Sequence, residues 1–187
     1  MGAKEKGIRI TLLVEDEMIE RFARRVLEAL GYATREMFFL PYPIGKGSNK
    51  QWLNQNYAKQ VKIFRSKANN QKIALLVATD ADEMQVLARR RSLEEVLQTA
   101  DPNARNEKER IALWIPRWNI ETWVLALSGE AVNEDKNEKT RVGKSDLRAV
   151  AAEFVRQYRE LQRGETVDAL PSLRVAYVET TRIAETA

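Results

Sequence analysis

The chain has 187 residues, 44% of them apolar, enough to bury one ordinary core. It has no cysteine, which excludes disulfides and thiolate chemistry, and no histidine, which excludes Ser-His-Asp hydrolysis, Cys-His proteolysis and histidine-held zinc. A metal would have to be held by oxygen, favouring magnesium, manganese or calcium, and the net charge of +4 suits an anionic partner or plain solubility equally.

In chain order, Ile8 to Val14 reads as a buried strand. Ile19, Phe22, Val26, Leu27 and Leu30 then recur at helical spacing, and Gly31 supplies a stop. Thr34 to Leu40 predicts a second strand, broken by Pro41 and Pro43. After the Ile44-Gly45-Lys46-Gly47 loop, Ser48 and Gln51 have capping-box spacing for a helix with Trp52, Leu53, Tyr57, Val61 and Phe64 on one face. Ile73 to Thr79 is a third strand, after which Asp82 can cap a helix containing Leu87, Leu93, Val96 and Leu97. Ile111 to Ile115 is a fourth, stopped by Pro116. A helix follows from Trp118 to Leu127, and the polar stretch from Val132 to Lys144 reads as an exposed loop. Ser145 is placed to cap a helix through Gln162, and a last helix runs from Pro171 to Ala184.

Strands alternating with helices predict an α/β fold with a mostly parallel sheet of about four strands flanked by helices and a helical carboxyl-terminal extension. The division expected is 1-130 for the α/β catalytic part and 131-187 for the extension packed on it. No apolar run reaches the roughly 18 residues of a membrane span. Met1 to Gly7 lacks the apolar core of a signal peptide, so a cytoplasmic protein without a membrane partner is the default expectation.

The chemistry is concentrated where two strands end. The first runs into Glu15-Asp16-Glu17 and the third into Asp80-Ala81-Asp82-Glu83. Carboxyl ends of strands in open α/β sheets are where ligands bind. If the strands are neighbours, Glu15, Asp80 and Asp82 crowd together. Two like charges about 4 Å apart repel by roughly 4 kcal/mol at an effective dielectric near 20. Protonation or a divalent cation relieves such a cluster. Taken alone, Glu15-Asp16-Glu17 is also what a helix dipole favours in its first turn. Glu121 sits in an otherwise apolar helix, where Arg117 could pair with it or where it could be a fourth metal ligand. Gly45-Lys46-Gly47-Ser48 lets backbone approach a phosphate with Lys46 as point charge, or simply connects two elements. Arg89, Arg90 and Arg91 with Lys136, Lys139, Arg141 and Lys144 could line a phosphate-binding rim, or be a solvated face.

Thr11 to Glu17 followed by an amphipathic helix and Gly31-Tyr32 resembles the start of a response-regulator receiver domain. The remainder departs from it: no hydroxyl residue ends the fourth strand and no later strand ends in lysine. A glutamate after the first strand and Asp-x-Asp after the third resemble the Toprim fold of topoisomerases, primases and nucleases. The nearest resemblance is to the OLD-family and RloB-like branch. Val14-Glu15-Asp16-Glu17-Met18-Ile19-Glu20-Arg21-Phe22 is similar to its opening pattern. Gly45-Lys46-Gly47-Ser48, Ile120-Glu121-Thr122-Trp123-Val124-Leu125 and Leu170-Pro171-Ser172-Leu173 match later segments in order. Asp16 replaces the usual glycine and Ile19 a second glutamate, so Glu17 or Glu20 could substitute, or a second metal site could be lost.

The resemblance implies magnesium- or manganese-dependent cleavage of nucleic-acid phosphodiesters. Asp80 and Asp82 would hold the metal, Glu15 would act as base or bridging ligand, and Lys46 would orient the phosphate. Glu17, Glu20 and Glu121 are the candidates for a further ligand, and Lys46, Lys50, Arg89, Arg90 and Arg117 for nucleic-acid contacts. DNA stands ahead of RNA as substrate. The resemblance also implies a separate ATPase or other defence-system protein as partner, a role against phage or plasmids, and leaves room for a homo-oligomer. The alternative is a catalytically weak Toprim module that binds nucleic acid or a partner protein.

Overall fold

Four strands, β1 (Arg9–Val14), β2 (Met37–Phe39), β3 (Ile73–Ala78) and β4 (Ile111–Trp114), form one all-parallel sheet in the order β2-β1-β3-β4. The structure, a computed structural model, describes residues 7–43, 49–143 and 145–184. Six helices flank the sheet: α1 (Glu17–Ala29), α2 (Asn49–Ala68), α3 (Val86–Ala100), α4 (Ile120–Leu127), α5 (Leu147–Gln162) and α6 (Pro171–Thr180). This is the predicted α/β class. None of the described helices is long and apolar enough to cross a membrane.

Alternation along the strands sorts side chains to two faces. Ile10, Leu12, Val14, Leu76 and Trp114 meet α1, α4, α5 and α6 on one. Leu13, Leu75, Val77 and Leu113 meet Leu53, Tyr57, Val61 and Phe64 of α2 and Leu93 and Leu97 of α3 on the other. Burial on both faces is why β3, β4 and the Leu12-Leu13-Val14 end of β1 read as unbroken apolar runs. The carboxyl-terminal helices share the first cluster with α1 and β1. There Phe154 of α5 packs edge-on to Phe22 and Tyr177, with ring centroids 5.9 and 4.8 Å apart.

The outer edge of β4 is closed by side chains. Glu179 of α6 accepts from the Leu113 N–H at 3.0 Å and from Arg105, which also donates to the Ile111 carbonyl at 2.8 Å. Backbone groups of an edge strand that would face water or another chain are thereby satisfied.

Several boundaries differ from the sequence reading. The second strand is only Met37–Phe39, because Thr34–Glu36 forms a 3-10 turn. The Glu36 carboxylate holds it by accepting from the N–H groups of Ala33 (2.7 Å) and Gly7 (2.8 Å). Asp82 does not cap α3, which starts four residues later after Gln85. The cap of α5 is Asp146 rather than Ser145, its carboxylate accepting from Arg148 and Ala149 N–H. Asn119 caps α4, so that helix begins at Ile120, and α6 ends at Thr180. The expected cap Ser48 and the loop 44–48 lie outside the described residues.

Candidate metal centre

Strand register decides what meets at the sheet's carboxyl edge. Val14 pairs with Ala78, so the chain leaves β1 at Glu15 and β3 at Thr79 side by side. Glu15 is buried and spans the gap. One carboxylate oxygen accepts from the Thr79 hydroxyl at 2.7 Å and the other from the Asp80 N–H at 3.0 Å. Asp80 is only 5% exposed, and its Oδ1 is buried with no hydrogen-bond partner among the described residues. Asp16 completes the group as the N-cap of α1. Its Oδ1 accepts from the Ile19 N–H at 2.8 Å, which fixes the carboxylate beside the other two.

Each of Glu15, Asp16 and Asp80 offers a carboxylate oxygen within 4.8 Å of the other two. Burial pushes the Asp80 carboxyl well above its ordinary range, and the neighbouring charges of Glu15, Asp16, Glu121 and Asp82 add to that. Glu15 is also raised, chiefly by burial, against the pull of its hydrogen bonds and of Lys50 and Arg89. A buried carboxylate oxygen without a donor normally costs about 1–3 kcal/mol. Three acids converging on such an oxygen, with only oxygen donors, form a centre that can hold a hard divalent cation.

The expected trio was Glu15, Asp80 and Asp82. The structure brings the first two together and replaces the third by Asp16. Asp82 takes a left-handed backbone conformation, φ +51°, which aspartate tolerates better than most residues. The loop is pinned in that shape by the strand-4 exit. Ala81 and Asp82 N–H donate to the carbonyls of Pro116 and Trp118, and Arg117 donates to those of Asp82 and Met84. The Asp82 carboxylate is consequently turned outward, 54% exposed, and ion-paired with Lys50.

The remaining candidates separate clearly. Glu121 lies buried on the first turn of α4, and its charge is felt by Asp80. Burial raises its carboxyl, Asp16 adds to this, and Lys139 opposes it. Arg117 does not pair with Glu121; besides the two carbonyls it faces Asp135 at 3.5 Å. Glu17 is exposed, and Glu20 is tied to Arg24 at 3.0 Å. Lys46 lies outside the described residues. Arg90 pairs with Glu94 and Glu179, both at 3.3 Å. Arg89 is not on a rim at all. It is 3% exposed and donates to the Thr79 hydroxyl at 3.0 Å, which in turn donates to Glu15.

Two partners of Glu15, Thr79 and Asn49, escaped the sequence reading, as did the inward turn of Arg89. Arg89 and Thr79 form a buried brace behind Glu15, and a run of three arginines gives no sign of which one turns inward. Asn49, at the start of α2, donates to the Glu15 carbonyl at 2.7 Å, and its Oδ1 is buried without a partner among the described residues. Adjacency to the glycine-containing turn was the only signal for it.

Comparison of the chain with protein-family profiles, with curated proteins and with solved structures gives no match.

Proposed function

We propose that the chain is a magnesium-dependent enzyme that cleaves nucleic-acid phosphodiester bonds at the Glu15, Asp16 and Asp80 centre. The observation that carries this reading is the Asp80 Oδ1, without a donor among the described residues and buried where two further carboxylates converge. The chemistry fits the donors: three carboxylates suit magnesium or manganese and offer nothing to a soft metal. A divalent cation bound there supplies positive charge to the phosphate and lowers the pKa of bound water.

The chain's own residues divide the remaining work. Asp80 and Asp16 would hold the cation. The first is held at the end of β3 and the second by its cap bond to α1. Glu15, fixed by Thr79 and the Asp80 N–H and shifted upward by burial, is the group suited to accept a proton. Arg89 is a positioning residue that acts on Glu15 through Thr79. Glu121, buried and with its charge felt by Asp80, is a candidate fourth carboxylate for a second cation.

A second reading is favoured by the outward turn of Asp82 and its pairing with Lys50, which leave three converging acids where the Asp-x-Asp pattern implies more. It makes the chain a weak catalyst that acts by binding nucleic acid or a partner. Incubating the protein with labelled DNA and RNA, single- and double-stranded, in magnesium, manganese or chelator separates the two. The nuclease reading expects fragments in either metal and none in chelator. Intact substrates in both metals would leave the binding reading.

A further inference from the structure

Most cations expected to face a nucleic-acid backbone are engaged inside the fold. Lys50 pairs with Asp82, Arg89 is buried against Thr79, Arg90 meets Glu94 and Glu179, and Arg141 meets Glu138 at 2.9 Å. Two other cations, one of them outside the expected set, are not so engaged and stand together. Arg21, on α1, is exposed, and its side chain makes no hydrogen bond or ion pair among the described residues. Lys139, exposed on the 3-10 turn before α5, makes no ion pair among them, though its charge reaches Glu121.

Both line one cleft of about 370 Å³, together with Met18, Glu121, Val142 and Leu147. The cleft adjoins the metal centre through α1: Asp16 caps that helix, and Met18 and Arg21 of its first turns line the cleft opposite Glu121 of α4. The acid lies buried in the wall while the two cations are exposed. An anion is therefore repelled from the floor and attracted at the rim, and the apolar side chains between offer contact to a sugar.

We propose that this cleft seats the sugar-phosphate backbone of one nucleic-acid strand beside the metal centre, with Arg21 and Lys139 each contacting a phosphate. The inference rests on the nuclease reading and gives that site its substrate groove. It also moves phosphate recognition from the α3 arginines to α1 and the segment before α5.

The test is binding of a fluorescein-labelled 20-nucleotide single strand, as DNA and as RNA, followed by anisotropy in calcium at several salt concentrations. Arg21→Gln with Lys139→Gln is expected to weaken binding about tenfold or more at 0.1 M salt. The double variant should also reduce the salt slope by about 1.4, as loss of two single-strand phosphate contacts requires. Arg21→Lys with Lys139→Arg should restore both. Manganese affinity and melting temperature should match wild type throughout, and Lys59→Gln with Lys62→Gln, on the exposed side of α2, should change nothing. Stronger retention of one sugar type names the substrate class. Wild-type affinity in the glutamine double variant, or no binding of either strand by wild type, would overturn the proposal. A strand held through Arg21 and Lys139 by a protein that never cuts supports the cleft and removes the nuclease reading instead.

Discussion

Asp80→Asn is expected to abolish metal-dependent cleavage and, in chelator, to make the protein more stable. The two effects have one cause. Asp80 is a buried carboxylate with an unpaired oxygen beside Glu15 and Asp16, so ionising it costs the metal-free fold while preparing it for a cation. Losing that anchor should cost several kcal/mol of transition-state stabilisation, a rate loss of about 10³-fold or more. The neutral amide removes like-charge repulsion, and a gain of about 1–2 kcal/mol corresponds to roughly 2–8 °C in a chain of this length. The sign with pH follows. The folded carboxyl binds its proton more tightly than the unfolded one, so its contribution to stability declines as pH rises through the raised folded value. The variant's thermal advantage should therefore be near zero in the ordinary aspartate range, about pH 4, and grow toward pH 8. Melting curves in chelator across that range, beside cleavage rates in manganese, check both halves. A variant that melts lower and still cuts would contradict the account.

Glu179→Ala carries the largest expected cost in stability. Glu179 is 3% exposed and accepts from Arg105 at 2.6 and 3.0 Å and from the Leu113 N–H at 3.0 Å. The Arg105 side chain is itself buried, 2% exposed, and its Nε already lacks a partner among the described residues. Truncation leaves that guanidinium without its carboxylate and uncovers the edge of β4. Breaking a buried pair from one side costs about 3–5 kcal/mol, or roughly 6–20 °C. Glu179→Gln, which keeps an acceptor for Leu113, should cost less. The urea midpoint reads both. An unchanged midpoint for the alanine variant would mean that α6 and the edge of β4 are not coupled through this residue. The effect should reach the metal centre, because β4 leads into Pro116 and Trp118, whose carbonyls pin the loop after Asp80.

What the sequence showed of this centre follows from how local each signal is. β3 and the Leu12-Leu13-Val14 end of β1 were legible because strands buried on both faces must be apolar, and their acidic ends then stand out against that background. The meeting of Glu15 with Asp80 needed only the further step that two such strands be neighbours, and their register confirms it. The exchange of Asp82 for Asp16 was not legible. It depends on one left-handed residue pinned by carbonyls more than thirty positions away, and on a cap bond that reads from sequence as ordinary helix chemistry. The same holds for the basic residues. Arg89, Arg90 and Arg91 look alike in a row, but the turn of α3 buries the first against Thr79, ties the second to Glu179 and exposes the third. Arg21 had no distinguishing neighbour, and its role emerges only from what lines the cleft. The second strand was read too long because Glu36, a residue with weak strand preference, was counted within it instead of as the acceptor that closes a turn.

The centre itself is tested most directly by soaking crystals of the protein in manganese and recording anomalous diffraction. The account predicts a peak between the carboxylates of Glu15, Asp16 and Asp80, at bonding distance from Asp80 Oδ1, and its absence in Asp80→Asn. A peak held by Asp82 away from that trio, or no ordered ion at the end of β1 and β3, would contradict it.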